Sequence, residues 1–275
     1  MKKAFVRQVS CLLPHLPHCI TGKSLAFPPV KAPGQYSFHT VIYAAFFAKI
    51  IQSVKKAAAN KLPAAAIFLE QQARGAHNID LVTPTHYVPQ IIKALTLARQ
   101  NGLSLPVVYN SNAYETIETI TALKQHVDIF LPDLKYYDNT YAVRYSAAPD
   151  YFAYASQAIT KMVDLAGPPV FDAAGIMQKG VIVRHLAVPG LMADSRNVLS
   201  WLWQTFGNTI FISLMNQYTP LYHASNHPEI NRRLTTWEYN KLIDYALSLG
   251  IENCFIQKGK TASADYVPVF DGSGI

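Results

Sequence analysis

The order of predicted strands and helices favours an α/β fold built on one parallel sheet. From Leu62 onward, short apolar runs alternate with longer segments in which apolar residues recur at helical spacing. Strands joined through helices can lie parallel, because each crossover returns the chain to the same edge of the sheet. Right-handed crossovers curl such a sheet, so we expect residues 62–275 to form a partial parallel (β/α)6-type barrel.

The individual elements follow from apolar runs and from residues that stop a helix. The clearest helix has an apolar face and ends before Gly102. The expected strands are Asn78–Val82, Pro106–Tyr109, Val127–Leu131, Val181–Leu186, Ile210–Met215 and Cys254–Gln257. The expected helices are Ala64–Arg74, Tyr87–Asn101, Glu115–Lys124, Tyr151–Leu165, Asn197–Phe206 and Thr236–Leu249. Polar residues at the carboxyl ends of the strands would then share one face.

Residues 1–61 differ from the rest of the chain in charge. Residues 1–69 contain nine Lys or Arg and no Asp or Glu, whereas the remainder contains 15 basic and 17 acidic side chains. The net charge of +7 therefore arises in this segment. A basic arm that binds phosphates is one interpretation, but the lysines are scattered without aromatic interleaving. We expect no nucleic-acid partner, and neither a strand nor a capped helix in residues 1–61.

Composition and cysteine content exclude several other classes of protein. No apolar run reaches the roughly 18–20 residues that span a bilayer, and no apolar segment of a secretory signal follows the first lysines. The three cysteines, at irregular spacing, do not form a disulfide framework. Zinc-type CxxC pairs and phosphate-binding glycine loops are absent from the sequence, so we assign no metal ligands. We expect a cytoplasmic protein without a membrane partner.

Three motifs resemble one known family: GAHNIDLVTPTHY at Gly75–Tyr87, DIFLPDLKYYD at Asp128–Asp138 and VRHLAVPG at Val183–Gly190. The family is the radical S-adenosylmethionine (radical SAM) proteins related to pyruvate formate-lyase activating enzyme. The resemblance implies a [4Fe–4S] cluster and S-adenosylmethionine as cofactors, with reductive cleavage of the latter to a 5′-deoxyadenosyl radical. It also implies a protein substrate of the glycyl-radical type and a reductant such as flavodoxin or ferredoxin.

The chain departs from this family where the cluster should be bound. The family holds its cluster on a C-x3-C-x2-C loop upstream of Gly75, where three thiolates bind three irons. The cysteines here are Cys11, Cys19 and Cys254, and they lack this spacing. We therefore expect that the cluster does not assemble, and we assign no catalytic residue. The alternative function is a non-catalytic barrel that binds S-adenosylmethionine or a partner.

The genetic code offers an explanation for the missing cysteines. One set of codons for Thr40–Ile50, read from the last base of the Thr40 codon, encodes Cys-Asn-Leu-Arg-Cys-Val-Phe-Cys-Gln-Asn. With suitable codons, the same shift can turn Cys19–Phe27 into His-His-Trp-Glu-Glu-Pro-Cys-Ile, which also resembles the family. We hypothesise that most of residues 1–61 is out-of-frame translation, with the first strand and the cluster loop degraded. Loss of that strand would expose an edge of the sheet.

Strand-end positions and the resemblance together indicate a set of cofactor-binding residues. They are Thr83, Pro84, Thr85, Asn110, Ser111, Asn112, Asp133, Lys135, His185 and Gln217. In the family, the threonine loop contacts the amino group of the methionine moiety, and the lysine of the D-x-K motif lies near its ribose and carboxylate. The alternatives are a turn that caps the next helix, an Asx-type turn at the Asn-Ser-Asn run, and a surface ion pair.

Arg184 and His185 are neighbours in one predicted strand, so they point to opposite sides of the sheet. Only one of them can line the site. His185 is the expected ribose contact, and its alternative is a hydrogen-bonded histidine of the core. Tyr218, next to Gln217, completes the expected ring of polar residues.

Overall fold

The computed structural model describes two short N-terminal strands and the continuous stretch 63–257, except for the side chains of those two strands and of residues 63 and 222. Nine strands occur in these parts of the chain. They are β1 (Gln8–Val9), β2 (Val41–Tyr43), β3 (Ile79–Val82), β4 (Val107–Ser111), β5 (Ile129–Pro132), β6 (Val170–Phe171), β7 (Met177–Leu186), β8 (Phe211–Met215) and β9 (Cys254–Gln257).

The strands form one open sheet in the order β1-β9-β8-β7-β5-β4-β3-β2. Every neighbouring pair in this order is parallel, and β6 alone adds an antiparallel pairing, with β7. The parallel order brings the carboxyl ends of the strands to one edge, as the sequence predicts. The sheet is therefore a partial barrel.

Helices connect the strands and cover the outer face of the sheet. They are α1 (Pro63–Ala73), α2 (Val88–Gln100), α3 (Ile117–Ala122), α4 (Asn139–Ser146), α5 (Tyr151–Ala166), α6 (Met192–Phe206) and α7 (Thr236–Ser248). Short 3-10 turns follow β3 and β8 at Thr85–Tyr87 and Tyr222–Asn226. A search for helices of membrane-crossing length and apolarity found none in the described part of the chain.

The inner face of the sheet carries an apolar cluster, which we call the lumen layer. It consists of Val108, Ile129, Leu131, Met177, Ile182, Phe211 and Phe255. Side chains two residues apart in a strand point to the same side. Asn110, Asp133 and Arg184 each follow a lumen-layer residue by two positions, so the polar ends of these strands stand directly on apolar side chains. Burying each such side chain stabilises the fold by roughly 1.5–3 kcal/mol.

Three strands lie where the sequence predicted none: β6 pairs antiparallel with β7, and β1 and β2 lie within residues 1–61. Gln8–Val9 pairs with β9, and Val41–Tyr43 pairs with β3 in a register that sets Val41 beside Asp80. Residues 1–61 therefore contain two described strands, contrary to the expectation of none, and β2 lies along β3.

Other differences concern elements with weak patterns. The sequence did not predict α4, because Ala142 is its only buried residue. Asp138 starts that helix by accepting a hydrogen bond from the backbone N–H of Thr140. Helix α6 begins at Met192 instead of Asn197, directly after the turn at Pro189-Gly190.

Candidate functional site

A hydrogen-bonded network of polar side chains spans the carboxyl ends of β4, β5 and β7. The Nε of Arg184 donates to Oδ1 of Asp133 at 2.7 Å, and its Nη2 donates to Oδ1 of Asn110 at 2.6 Å. The Nζ of Lys135 lies 3.4 Å from Oδ2 of Asp133. Charge-assisted bonds of this kind are short and hold their partners firmly. The network therefore fixes side chains from three adjacent strands in one place.

This network is open to solvent on one side. The side chains of Asp133 and Arg184 are 19% and 25% exposed, and that of Lys135 is 42% exposed. Lys135 and Arg184 can donate hydrogen bonds to the carboxylate of a ligand, and the carboxylate of Asp133 can accept hydrogen bonds from its hydroxyl or amino groups. The edge is therefore suited to a small molecule that carries both kinds of group.

Asp80 lies beneath this network, in the interior of β3, and is 5% exposed. Burial raises the pKa of its carboxyl group to about 7, although the charge of Arg184 and a hydrogen bond with Asn110 oppose the shift. Its Oδ1 has no hydrogen-bond partner among the described residues. The sequence contained a signal for it, since Asp80 is the one acid in the apolar strand, two residues before Val82.

The loop Thr83–Thr85 leaves the end of β3 beside this network. Thr83 has a φ of 52°, a left-handed conformation that is uncommon for a residue with a side chain, and its N–H donates to the carbonyl of Asn110 at 2.8 Å. Pro84 precedes the 3-10 turn without a side-chain capping bond. Thr85 turns away, because its Oγ1 donates to Oε1 of Glu115 at 3.1 Å.

Glu115 is the centre of a second, buried group on the outer face of the sheet. The hydroxyl of Tyr109 donates to its Oε2 at 2.8 Å, and Ser111 also hydrogen-bonds the carboxylate. Burial raises the pKa of Glu115, and these hydrogen bonds partly offset the shift. Of the predicted residues, Thr85 and Ser111 therefore belong to this group, which anchors the loop after β3 from behind.

Asn112 forms an Asx-type turn, which was the alternative to cofactor binding for the Asn-Ser-Asn run. Its Oδ1 accepts from the N–H of Tyr114 at 3.0 Å, and its side chain is exposed. Asn110 alone of the three residues Asn110–Asn112 joins the network with Arg184.

His185 lies on the face of the sheet opposite to Arg184. It is 1% exposed; its Nδ1 is 2.7 Å from the carbonyl of Leu134, and its Nε2 is 2.9 Å from Oγ of Ser195. Burial lowers the pKa of the imidazole. His185 is therefore a hydrogen-bonded histidine of the core, the alternative to the expected ribose contact. Arg184 faces the lumen instead.

Three buried groups hold the backbone of the D-x-K segment. His185 contacts the carbonyl of Leu134, and the hydroxyl of Tyr151 accepts from the N–H of Lys135 at 3.0 Å and donates to the carbonyl of Asp133 at 2.8 Å. Asp194 accepts from the N–H groups of Tyr137 and Asp138, which lie two and three positions after Lys135. Burial raises the pKa of Asp194. No local sequence pattern points to Tyr151 or Asp194.

Gln217 lies at the same edge, beyond the end of β8. Its Oε1 accepts from Nε2 of Gln257 at 3.0 Å, and Gln257 in turn accepts from the N–H of Asn216 at 2.9 Å. These bonds connect the ends of β8 and β9, and Tyr218 is half-buried beside them.

The thiol donors in the described part of the chain do not fit a [4Fe–4S] cluster. Cys254 packs on the helix side of β9, burial raises the pKa of its thiol to about 12, and the thiol contacts the carbonyl of Phe255 at 3.8 Å. Cys11 and Cys19 lie outside the described residues. Within those residues, no group of three or more His, Cys, Asp or Glu is arranged to hold a metal ion.

Comparisons with known proteins give one relative by sequence and several by structure. No family model matches the chain. The uncharacterized protein MJ0674 of Methanocaldococcus jannaschii is 34% identical over 164 residues, which are 59% of this chain and 43% of that protein. The matched region therefore spans less than half of the relative's length.

Among solved structures, Streptococcus suis SuiB bound to S-adenosylmethionine is similar to 85% of this chain and 51% of its own, with 13% identity and a TM-score of 0.50. A domain of pyruvate-formate lyase-activating enzyme from Bacteroides vulgatus ATCC 8482 gives 14% identity and a TM-score of 0.45 over 64% of this chain and 94% of its own. The open parallel sheet and the likeness to SuiB show that this chain has a partial-barrel α/β fold similar to that of SuiB.

Proposed function

We propose that the carboxyl edge of this barrel binds S-adenosylmethionine. The observation that supports the proposal most directly is the solvent-open network of Asn110, Asp133 and Arg184 on that edge. SuiB, which has a similar fold, is bound to this molecule in its crystal structure. Parallel α/β proteins bind ligands at the carboxyl ends of their strands, which is where this network lies.

The side chains of the network suit the polar groups of S-adenosylmethionine. Arg184 and Lys135 supply cationic donors for its carboxylate, and Asp133 supplies an acceptor for ribose hydroxyls. The hydroxyl of Thr83, which is exposed beside the network, can accept from the amino group. The lumen layer excludes water from below, which strengthens each of these interactions. When bound, S-adenosylmethionine supplies a sulfonium whose carbon–sulfur bonds can be cleaved.

Calorimetric titration of the purified chain with S-adenosylmethionine tests this proposal. Arg184→Gln should weaken binding about 10–100-fold, because each charge-assisted bond that is lost contributes roughly 1.5–3 kcal/mol. Arg196→Gln, on the exposed face of α6, is the matched control and should bind like the wild type. Equal affinities for the two variants would contradict the assignment of Arg184, provided that both melt cooperatively.

We also propose that the chain, as given, binds S-adenosylmethionine without cleaving it reductively. The described thiol is buried and protonated at neutral pH, and a cluster needs ionised thiolates. Anaerobic reconstitution with iron and sulfide should therefore leave the protein without the visible absorption of a [4Fe–4S] cluster. A stoichiometric cluster on this chain would refute the proposal.

Out-of-frame translation of residues 1–61 is the proposed reason for the missing cysteines. The absence of acidic residues before Glu70 and the C-x3-C-x2-C reading at Thr40–Ile50 support it. Sequencing of the coding DNA across residues 1–70 should show that frame open. In that case the restored protein is a radical SAM enzyme related to pyruvate formate-lyase activating enzyme. Stop codons in that frame would make residues 1–61 genuine and leave a binding function.

A further inference from the structure

Asp80 occupies an unusual position under the proposed ligand site. Its neighbours in β3, Ile79 and Leu81, pack on the helix side of the sheet, so Asp80 points into the lumen. Its partner in register on β4 is Val108, a member of the lumen layer. Asp80 therefore has Val108 beside it and Asn110 with the network above it, and the buried Asn78, two residues earlier, lies on the same side.

The bonding of Asp80 is incomplete. Asn110 hydrogen-bonds the carboxyl group, yet Oδ1 has no partner in the described part of the chain. A buried carboxylate with an unpaired oxygen is costly, and adding a proton removes its charge. Arg184 is the cation that acts on Asp80, and Arg184 is itself bonded to Asp133, which Lys135 approaches.

We propose that Asp80 is a positioning residue for Arg184, and that up to one proton is taken up from solvent onto Asp80 when Arg184 binds the carboxylate of S-adenosylmethionine. The inference rests on the proposed function. An ionised Asp80 attracts Arg184 and competes with the ligand carboxylate for it. A neutral Asp80 leaves the cation available. Because linkage is reciprocal, carboxylate binding and protonation of Asp80 favour each other.

The titration range of Asp80 makes this linkage measurable near neutrality. Burial raises the pKa of Asp80 to about 7 in the ligand-free protein, and a carboxylate placed on Arg184 would raise it further. The affinity for S-adenosylmethionine should then fall with rising pH, by at most about tenfold per pH unit because a single proton is linked.

Calorimetry from about pH 6 to about pH 8, in two buffers of different ionisation enthalpy, tests the linkage. The amino group of the ligand also titrates near pH 8, and it contributes equally to every variant. The readout is therefore the difference between proteins. The wild type and Asp244→Asn, an exposed control on α7, should weaken with pH more steeply than Asp80→Asn. At about pH 8, Asp80→Asn should bind several-fold more tightly than the wild type.

Parallel pH profiles for the wild type and Asp80→Asn, with binding intact, would overturn the role of Asp80 and leave the binding site standing. Failure of the folded wild type and control to bind at any pH would overturn the proposed function and this inference with it. If Asp80→Asn does not fold, infrared difference spectra of the wild type decide. A protonated-carboxyl band that grows when S-adenosylmethionine binds supports the inference, and its absence overturns it.

Discussion

Replacing Asp80 by Asn should stabilise the ligand-free protein at neutral pH. Burial raises the pKa of this carboxyl group from 3.8 to about 7. Between these values the unfolded chain has released its proton while the folded protein still holds it. The unfolded state therefore binds fewer protons, and the stability of the wild type falls as pH rises through this window. Asn carries no charge, so the variant does not share this loss.

The size of the effect follows from the shift. About three pKa units correspond to roughly 4 kcal/mol, at about 1.4 kcal/mol for each unit. The amide of Asn must satisfy its own donors in the same buried space, which costs about 1–3 kcal/mol where a partner is missing. We therefore expect Asp80→Asn to raise the free energy of unfolding by roughly 1–3 kcal/mol at about pH 8. Near pH 4 the gain should vanish or reverse.

Urea unfolding of the wild type and Asp80→Asn from about pH 4 to about pH 8 measures this difference. Asp244→Asn is the control, because its carboxyl group is exposed on α7. The reasoning fails if the difference between Asp80→Asn and the wild type stays constant with pH, or if it grows as pH falls.

Three further predictions concern the groups around the site. In calorimetry, Arg184→Gln should weaken binding of S-adenosylmethionine about 10–100-fold, whereas Arg196→Gln should leave the affinity unchanged. Tyr151→Phe removes the hydroxyl that joins the backbone at Asn112, Asp133 and Lys135, so urea unfolding should show a loss of about 1–3 kcal/mol. Burial lowers the pKa of the His185 imidazole, so the folded state resists its protonation and the wild type loses stability below about pH 6.5. In urea unfolding, His185→Gln should lose less free energy of unfolding than the wild type over the same fall in pH.

The sequence predicted six strands of the sheet because each contains a short apolar run between helical segments; it missed β6 and the first four residues of β7. The prediction of Cys254–Gln257 agrees with the structure at both ends. The short strand Val41–Tyr43 was missed, since its surroundings have no alternation of strand and helix. Pairing with β3, which depends on residues far along the chain, places it in the sheet.

The sequence indicated that polar residues share the carboxyl edge of the sheet but could not tell which side chains meet there. Alternation established that Arg184 and His185 face opposite ways. It could not establish which of them faces the lumen, because the preceding residues Val181–Val183 are apolar on both faces of the strand and all are buried. Asp80 was not predicted because it lies within β3 and not at the strand end, although one acid in an apolar strand is itself a signal. Asp194, which supports the site from 57 positions along the chain, left no local pattern.

The residues proposed to bind S-adenosylmethionine and the cysteines expected to bind a cluster lie in different parts of the chain. The two kinds of binding can therefore be tested separately. Asp80, Asn110, Asp133 and Arg184 all lie after residue 62, so the polar side chains that we propose for binding come from outside residues 1–61, although Val41 pairs with Asp80 in register. The out-of-frame reading places all three cluster cysteines within Thr40–Ile50. Restoring that frame should therefore add the visible absorption of a cluster. The pH dependence of S-adenosylmethionine binding contains a part that Asp80→Asn removes, and that part should stay unchanged. If the restored protein loses that part, cluster assembly reorganises the lumen, and Asp80 does not act through Arg184 alone.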